Sequence, residues 1–341
     1  MKASRRARRL LPLGLLVVAA ASGACARNAP QDTLSPEGPI ARQLDNLFNP
    51  VVAVAAVFFF LVQGLVLFAA IRFRRRSEDE APRQIHGNVK LEIAWTAIPA
   101  LILAVVGIAT VVTIWDLNKI DKSAEVLNVT VTGHQWWWEY EYPDLGVVTA
   151  NELYIPTGTR VELKLKSDDV IHSFWPPKLA GKVDVIPGRT NTMAIEANNP
   201  GEFEGQCAEF CGISHSRMRL RVIAQAPENF EAWVQDQKRK QPAPAPGTAG
   251  DVAEGAALFQ SRGCAGCHTV AGYTQGEVGP NLTHLFDRET FAGSIFELNS
   301  INLRRWLRDP QEEKPGNKMV LPVPLTEDEI TKLIAYLETL K

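Results

Sequence analysis

Two short stretches of this 341-residue chain concentrate the residues best suited to redox chemistry. The first, Gly205-Gln206-Cys207-Ala208-Glu209-Phe210-Cys211-Gly212-Ile213-Ser214-His215-Ser216-Arg217-Met218, packs two thiols, an imidazole and a thioether into a dozen positions, with a carboxylate between the thiols. His172 lies upstream in Asp168-Asp169-Val170-Ile171-His172-Ser173-Phe174-Trp175. Thiolate and thioether are soft donors and imidazole is borderline, a mixture that selects copper over hard, oxygen-seeking ions. Five such ligands are one more than a tetrahedral structural zinc uses, and methionine is not a zinc ligand of choice. Zinc and a Cys207–Cys211 disulfide are the competing readings; the disulfide would leave two histidines and a methionine with no reason to converge.

The second stretch, Cys264-Ala265-Gly266-Cys267-His268, has the C-x-x-C-H spacing of covalent haem c attachment. Each thiol can form a thioether to a haem vinyl, and the adjacent imidazole can stand over the iron. A redox dithiol is the alternative. Met319 is the only methionine beyond the Pro/Ala-rich run and is the expected ligand opposite His268; sulfur trans to histidine raises the reduction potential relative to a harder ligand. The Pro280 carbonyl is the expected acceptor for the other His268 nitrogen. His134 and His284 are expected to be structural.

Elements must hold these residues, and the chain divides accordingly. Lys2, Arg5, Arg6, Arg8 and Arg9 precede an apolar run over 10–21 and small residues up to Cys25, the three regions of a secretory signal over 1–24. Ser22-Gly23-Ala24-Cys25 resembles a bacterial lipobox with an unusual first position, making Cys25 a candidate lipid anchor. Loss of the signal removes five cations and takes the net charge from −2 to −7, so no basic face is left for nucleic acid. Residues 25–45 form an outward-facing segment. Residues 50–71 and 95–115 are uncharged, and a bilayer core needs about 20 such residues. They predict a transmembrane hairpin over 46–116. Arg72, Arg74, Arg75, Arg76, Arg83 and Lys90 lie between the spans and place that loop in the cytoplasm. Everything after Trp115 then faces outward.

Residues 117–240 alternate apolar and polar in short runs, as in Arg160-Val161-Glu162-Leu163-Lys164-Leu165-Lys166, and Gly, Pro and Asn punctuate them. An antiparallel sandwich follows, with the ligands on loops at one end. Five aromatics crowd Gly133-His134-Gln135-Trp136-Trp137-Trp138-Glu139-Tyr140-Glu141-Tyr142. On a continuous strand, Trp137 facing inward would leave Trp136 and Trp138 together on the outer face, where large aromatics mark contact surfaces; a core role is the alternative. Residues 227–240 predict a helix. The alternating prolines of 241–250 suit neither helix nor central strand and predict an extended linker spanning about 15–30 Å. Such a linker would hold the last domain, 251–341, at roughly millimolar effective concentration without fixing it near Trp136. That domain opens and closes with helix-like runs over 251–261 and 326–340.

The pattern His-Ser-Phe-Trp followed by Cys-Ala-Glu-Phe-Cys-Gly-Ile-Ser-His-Ser-Arg-Met closely resembles the binuclear copper (CuA) loop of cytochrome c oxidase subunit II. The resemblance implies bridging roles for Cys207 and Cys211. It makes His172, His215, Met218 and the Glu209 carbonyl the remaining ligands, and gives the Glu209 side chain a magnesium shared with subunit I. It makes Trp136 the electron-entry residue and matches Glu92, in Lys90-Leu91-Glu92-Ile93-Ala94-Trp95, to a glutamate at the mouth of a proton pathway; a solvated loop carboxylate is the plainer reading of Glu92. Residues 251–341, with Gly279-Pro280-Asn281-Leu282 and Pro315-Gly316-Asn317-Lys318-Met319, resemble class I cytochrome c. The implied fold class is a two-helix transmembrane hairpin, an all-β cupredoxin domain and an all-α cytochrome c domain, as in caa-type haem-copper oxidases. The implied function is electron entry to a proton-translocating oxidase of the bacterial cell membrane. A cytochrome c or bc-type complex would be the donor, subunit I and other oxidase subunits the partners, and the oxygen-reducing centre would lie in subunit I.

Overall fold

The computed structural model describes residues 29–74, 84, 86–118, 126–241 and 250–341. The signal, Cys25, Arg75, Arg76, Arg83 and most of the Pro/Ala linker lie outside these residues. Two long helices come first: α1 (Pro39–Arg72) and α2 (Val89–Asn118). Their 18-residue apolar windows bury nothing against protein. A helix that is apolar all round and unburied is matched to lipid, where every backbone polar group must be satisfied within the helix. The hydroxyls of Thr96, Thr110 and Thr113 obey the same demand, each donating to the carbonyl four residues earlier at 2.8–2.9 Å. Glu92 sits exposed in the first turn of α2, where its carboxylate accepts from the Asn88 amide at 3.3 Å.

The middle of the chain is a two-sheet sandwich. Strands β1 (Val126–His134), β2 (Trp137–Tyr142), β3 (Val147–Ala150), β5 (Arg160–Ser167) and β8 (Asn191–Ile195) make one sheet, ordered β3-β2-β1-β5-β8. The other, ordered β4-β10-β9-β6-β7, contains β4 (Glu152–Pro156), β6 (His172–Trp175), β7 (Val183–Val185), β9 (Gly201–Cys207) and β10 (Arg219–Gln225). The expected alternation holds: Val161, Leu163 and Leu165 of β5 are fully buried, while Lys164 and Lys166 are exposed. Truncating one of these leucines to alanine costs about 2–5 kcal/mol. The sandwich is not wholly antiparallel, because β1 pairs β5 and β4 pairs β10 in parallel. An alternating pattern reports which face is buried and says nothing about strand direction.

The aromatic run also departs from expectation. β1 and β2 form a hairpin in which His134 pairs with Trp137, so Gln135 and Trp136 are its two-residue turn. The period restarts there: Trp138, Tyr140 and Tyr142 point into the core, and Trp137 faces out, its ring stacked on His134 at 4.2 Å. Trp136 and Trp138 therefore do not share an outer face.

After α3 (Pro227–Gln237), the last part of the chain is helical: α4 (Asp251–Ser261), α5 (Ser300–Arg308), α6 (Pro310–Glu313) and α7 (Glu327–Leu337). Thr326 and Glu329 close a reciprocal capping box at the start of α7, an arrangement that satisfies two otherwise unpaired amides. Its apolar face, Ile330, Leu333, Ile334 and Leu337, is buried and packs with Phe259 of α4 into a separate core.

Candidate metal and haem centres

The two sheets bring the first ligand set together from three places. β6 delivers His172, the end of β9 delivers Cys207, and the loop running to β10 carries Glu209, Cys211, His215 and Met218. The β6–β9 pairing, Phe174 opposite Cys207, sets His172 and Cys207 side by side. The thiols are unbonded, 3.7 Å apart. His172 Nδ1 is 3.9 Å from Cys207 Sγ, His215 Nδ1 3.5 Å from Cys211 Sγ, Met218 Sδ 3.9 Å from Cys211 Sγ, and the Glu209 carbonyl 3.3 Å from Cys207 Sγ. Each predicted ligand thus contacts one of the two sulfurs, and the arrangement has an imidazole on each. Such a soft, sulfur-centred set fits copper, and its fifth and sixth donors leave zinc nothing to do with them.

Supporting contacts hold this set in place. His172 Nε2 is bonded to Asp169 Oδ1 at 2.8 Å, which leaves Nδ1 for the sulfur side, the orienting role that outer carboxylates play for metal-binding histidines. Burial opposes charge on His172, but the bonds to Asp169 and Cys207 outweigh it and raise its pKa. The two thiols are hydrogen-bonded to each other, and that contact, with His172 and backbone groups, pushes the Cys207 thiol well down despite burial and pushes Cys211 up. The Glu209 carboxylate is exposed and joins no cluster of acidic or imidazole ligands among the described residues. A magnesium there would take its other ligands from outside the chain.

The haem-type motif lines a cavity together with Met319 and apolar side chains including Leu282, Leu303 and Leu337. His268 Nδ1 is bonded to the Pro280 carbonyl at 2.8 Å, as expected, so Nε2 is the ring nitrogen left for iron. Burial lowers the His268 pKa and favours the neutral imidazole a metal needs. Trp306 donates its indole N–H to Met319 Sδ at 3.2 Å and fixes that thioether. The cavity, the paired histidine and the cavity-lining thioether fit a covalently held haem. Trp306 escaped the sequence reading, since one tryptophan on an amphipathic helix carries no local signal. His284 is buried and bonded to the Arg239 carbonyl, and His134 lies 3.5 Å from Asp168; neither joins a ligand set.

Trp136 joins the two centres. Its indole N–H donates to the Cys211 carbonyl at 3.0 Å, and the Gln135 amide reaches the same oxygen at 2.8 Å. Trp136, Trp137 and Gln135 also line the haem-side cavity. Trp136 is only 5% exposed, enclosed by Gly212 of the copper loop and Gly316 of the last domain.

Comparison with known proteins agrees with this geometry. Residues 30–112 match the cytochrome c oxidase subunit II transmembrane domain, residues 146–225 its periplasmic domain, and residues 252–341 cytochrome c. The chain is 37% identical to cytochrome c oxidase subunit 2 of Alkalihalophilus pseudofirmus, spanning 100% of this chain and 99% of that one. It is 38% identical to the subunit 2 of Bacillus sp. PS3, over 91% of each. Among solved structures, the periplasmic domain of subunit II of cytochrome oxidase from Bradyrhizobium japonicum is 31% identical over 36% of this chain and 96% of that one, with a TM-score of 0.33. With two apolar helices, a cupredoxin-type sandwich and a C-terminal cytochrome c domain matched end to end, this chain belongs to the cytochrome c oxidase subunit II family.

Proposed function

We propose that the chain is the electron-entry subunit of a haem-copper oxidase, passing electrons from a cytochrome c or bc-type donor through its own haem c and a binuclear CuA centre to haem in subunit I. The observation that carries this reading is the contact of the four other predicted donors, His172, Glu209, His215 and Met218, with the adjacent Cys207–Cys211 pair. Cys207, Cys211, His172, His215, Met218 and the Glu209 carbonyl would hold the copper pair. Cys264 and Cys267 would tether haem c, and His268 and Met319 would supply its iron's nitrogen and sulfur donors. Bound, the copper pair and haem supply one-electron chemistry at low reorganisation, while oxygen reduction and proton translocation belong to subunit I. The chain's contribution is rigidity: Asp169 holds His172, Trp306 holds Met319, and Trp136 spans the space between the copper loop and the haem cavity.

By this reading α1 and α2 cross the bacterial cell membrane with the copper and haem domains outside, and Cys25 is a candidate lipid anchor. The domain limits proposed are 1–24, 25–45, 46–116, 117–240, 241–250 and 251–341. The test is an optical spectrum of the complex isolated from membranes through this chain. Covalent c-type haem, mixed-valence copper and subunit I haem should co-purify, and absence of copper would overturn the assignment.

A further inference from the structure

The last domain does not merely lie near Trp136; a charged residue of each domain is buried in the contact. Glu152, at the start of β4, is fully buried, and its Oε1 accepts from the Glu289 amide (3.0 Å), the Thr290 amide (2.7 Å) and the Thr290 hydroxyl (2.8 Å). Tyr154 donates to its other oxygen at 3.2 Å. From the opposite side comes Lys314, 2% exposed, whose ammonium donates to the Trp136 carbonyl at 2.5 Å and the Ala292 carbonyl at 2.7 Å. Between these points the copper loop grips the haem domain directly. Ser214 donates to the Pro315 carbonyl at 2.7 Å and Arg217 to the Glu313 carbonyl at 2.6 Å. These two residues flank His215 and precede Met218, so the copper ligands and the segment leading to Met319 share one hydrogen-bonded frame.

Close approach confirms the fit. Gly293 and Gly316 both have positive φ, and a Cβ on Gly293 would stand 2.9 Å from the Trp136 carbonyl oxygen. On Gly316 it would stand 3.0 Å from the Trp136 indole. The Gln241 amide, at the linker's start, donates to the Ala271 carbonyl at 2.8 Å, so the chain is already bonded to the haem domain before the prolines begin.

An interface that forms and dissolves at each turnover keeps its charges at a wet rim, because a buried charge must recover its desolvation cost in every encounter. Here a buried acidic residue from one domain and a buried lysine from the other each complete their hydrogen bonds across the contact, to the Glu289 and Thr290 groups and to the Trp136 carbonyl, when the domains meet in this one register. We propose that Glu152 and Lys314 form a buried two-point clamp that seats the haem domain permanently over Trp136, closing that site to a free cytochrome. This inference rests on the electron-entry reading and differs from a domain swinging on a flexible tether. External donors then deliver electrons to the haem domain, at the solvent rim of its cavity where Val278 and Val320 are exposed.

The test uses the intact oxidase. Hydrogen exchange of the Thr290 and Arg219 amides reads the seat without any electron transfer, since Arg219 N–H donates to the Gly293 carbonyl across the same contact. A permanent seat predicts both amides exchanging at least 100-fold slower than exposed loop amides; exchange at loop rates overturns it. Stopped-flow mixing with a reduced soluble class I cytochrome c then reads the route. In the wild type, copper should never be reduced ahead of haem c. In Lys314→Glu, which buries an acid against the Trp136 carbonyl, Thr290 and Arg219 exchange should rise tenfold or more and direct copper reduction should appear, with the haem c spectrum and β5 exchange unchanged as fold controls. Direct copper reduction in the wild type, or no change in the variant, overturns the clamp. Protected amides in an enzyme whose haem c never reduces copper would support the seat and refute the electron route.

Discussion

Replacing Glu152 with alanine removes both carboxylate oxygens and strands four donors at once, the Glu289 and Thr290 amides, the Thr290 hydroxyl and the Tyr154 hydroxyl, in a largely buried contact. Each buried donor left unpaired costs about 1–3 kcal/mol. Part of that is offset, because burial raises the Glu152 pKa: the carboxylate is itself uncomfortable in the seat, though the Thr290 bonds and Arg288 hold it back. A net loss of about 3 kcal/mol remains, which at about 1.4 kcal/mol per decade is roughly a 150-fold rise in local opening. Amide exchange at Thr290 in the assembled oxidase measures that opening directly. Glu152→Gln separates hydrogen bonding from charge. Its carbonyl can accept the same three bonds and its amide can donate to Tyr154, so exchange should stay within about fivefold of wild type. Unchanged Thr290 exchange in Glu152→Ala, or equal damage from Gln and Ala, would refute the reasoning.

Met319→Ala should leave the haem covalently attached but lower its midpoint potential, because the sulfur fixed by Trp306 is lost; an unchanged potential would assign the axial position elsewhere. Trp136→Ala should keep copper bound while haem c to copper transfer slows at least tenfold in flash photolysis, and a wild-type rate would reduce this indole to packing. Burial pushes the Lys314 ammonium down to about 7 from the ordinary 10.5, with Cys211 opposing and Arg217 assisting. The released lysine binds a proton throughout pH 7–10 that the seated one does not, so the seat should tighten as pH rises across that window and be indifferent to this group below it. Thr290 opening, corrected for intrinsic exchange, should show that slope and lose it in Lys314→Met; a slope that survives the substitution assigns it to another group.

Much of the candidate copper site was legible because four of its side-chain donors lie within twelve positions and the fifth, His172, sits in its own short motif. The C-x-x-C-H motif was equally local. The sandwich followed from alternation, yet strand direction did not, since a side-chain period of two is the same for parallel and antiparallel neighbours. The turn at Gln135–Trp136 was hidden by its composition: no Gly, Pro, Asn or Asp marks it, and an unbroken aromatic run reads as a single strand. Trp136's burial depends on residues 293 and 314–316, far away in the chain. Glu152 and Lys314 were invisible for a related reason. Single charged residues in a sequence read as solvated, and only the assembled contact shows each one buried and paired.

The central claim is that Cys207 and Cys211 hold two coppers sharing one electron. Metal analysis and electron paramagnetic resonance of the purified complex, wild type beside Cys211→Ser, test it most directly. The account predicts two coppers per haem c contributed by this chain, a hyperfine pattern split by two equivalent copper nuclei, and loss of both in the variant while the c-type haem spectrum persists. A single copper with a one-nucleus pattern, zinc in its place, or a two-copper signal surviving in Cys211→Ser would contradict it.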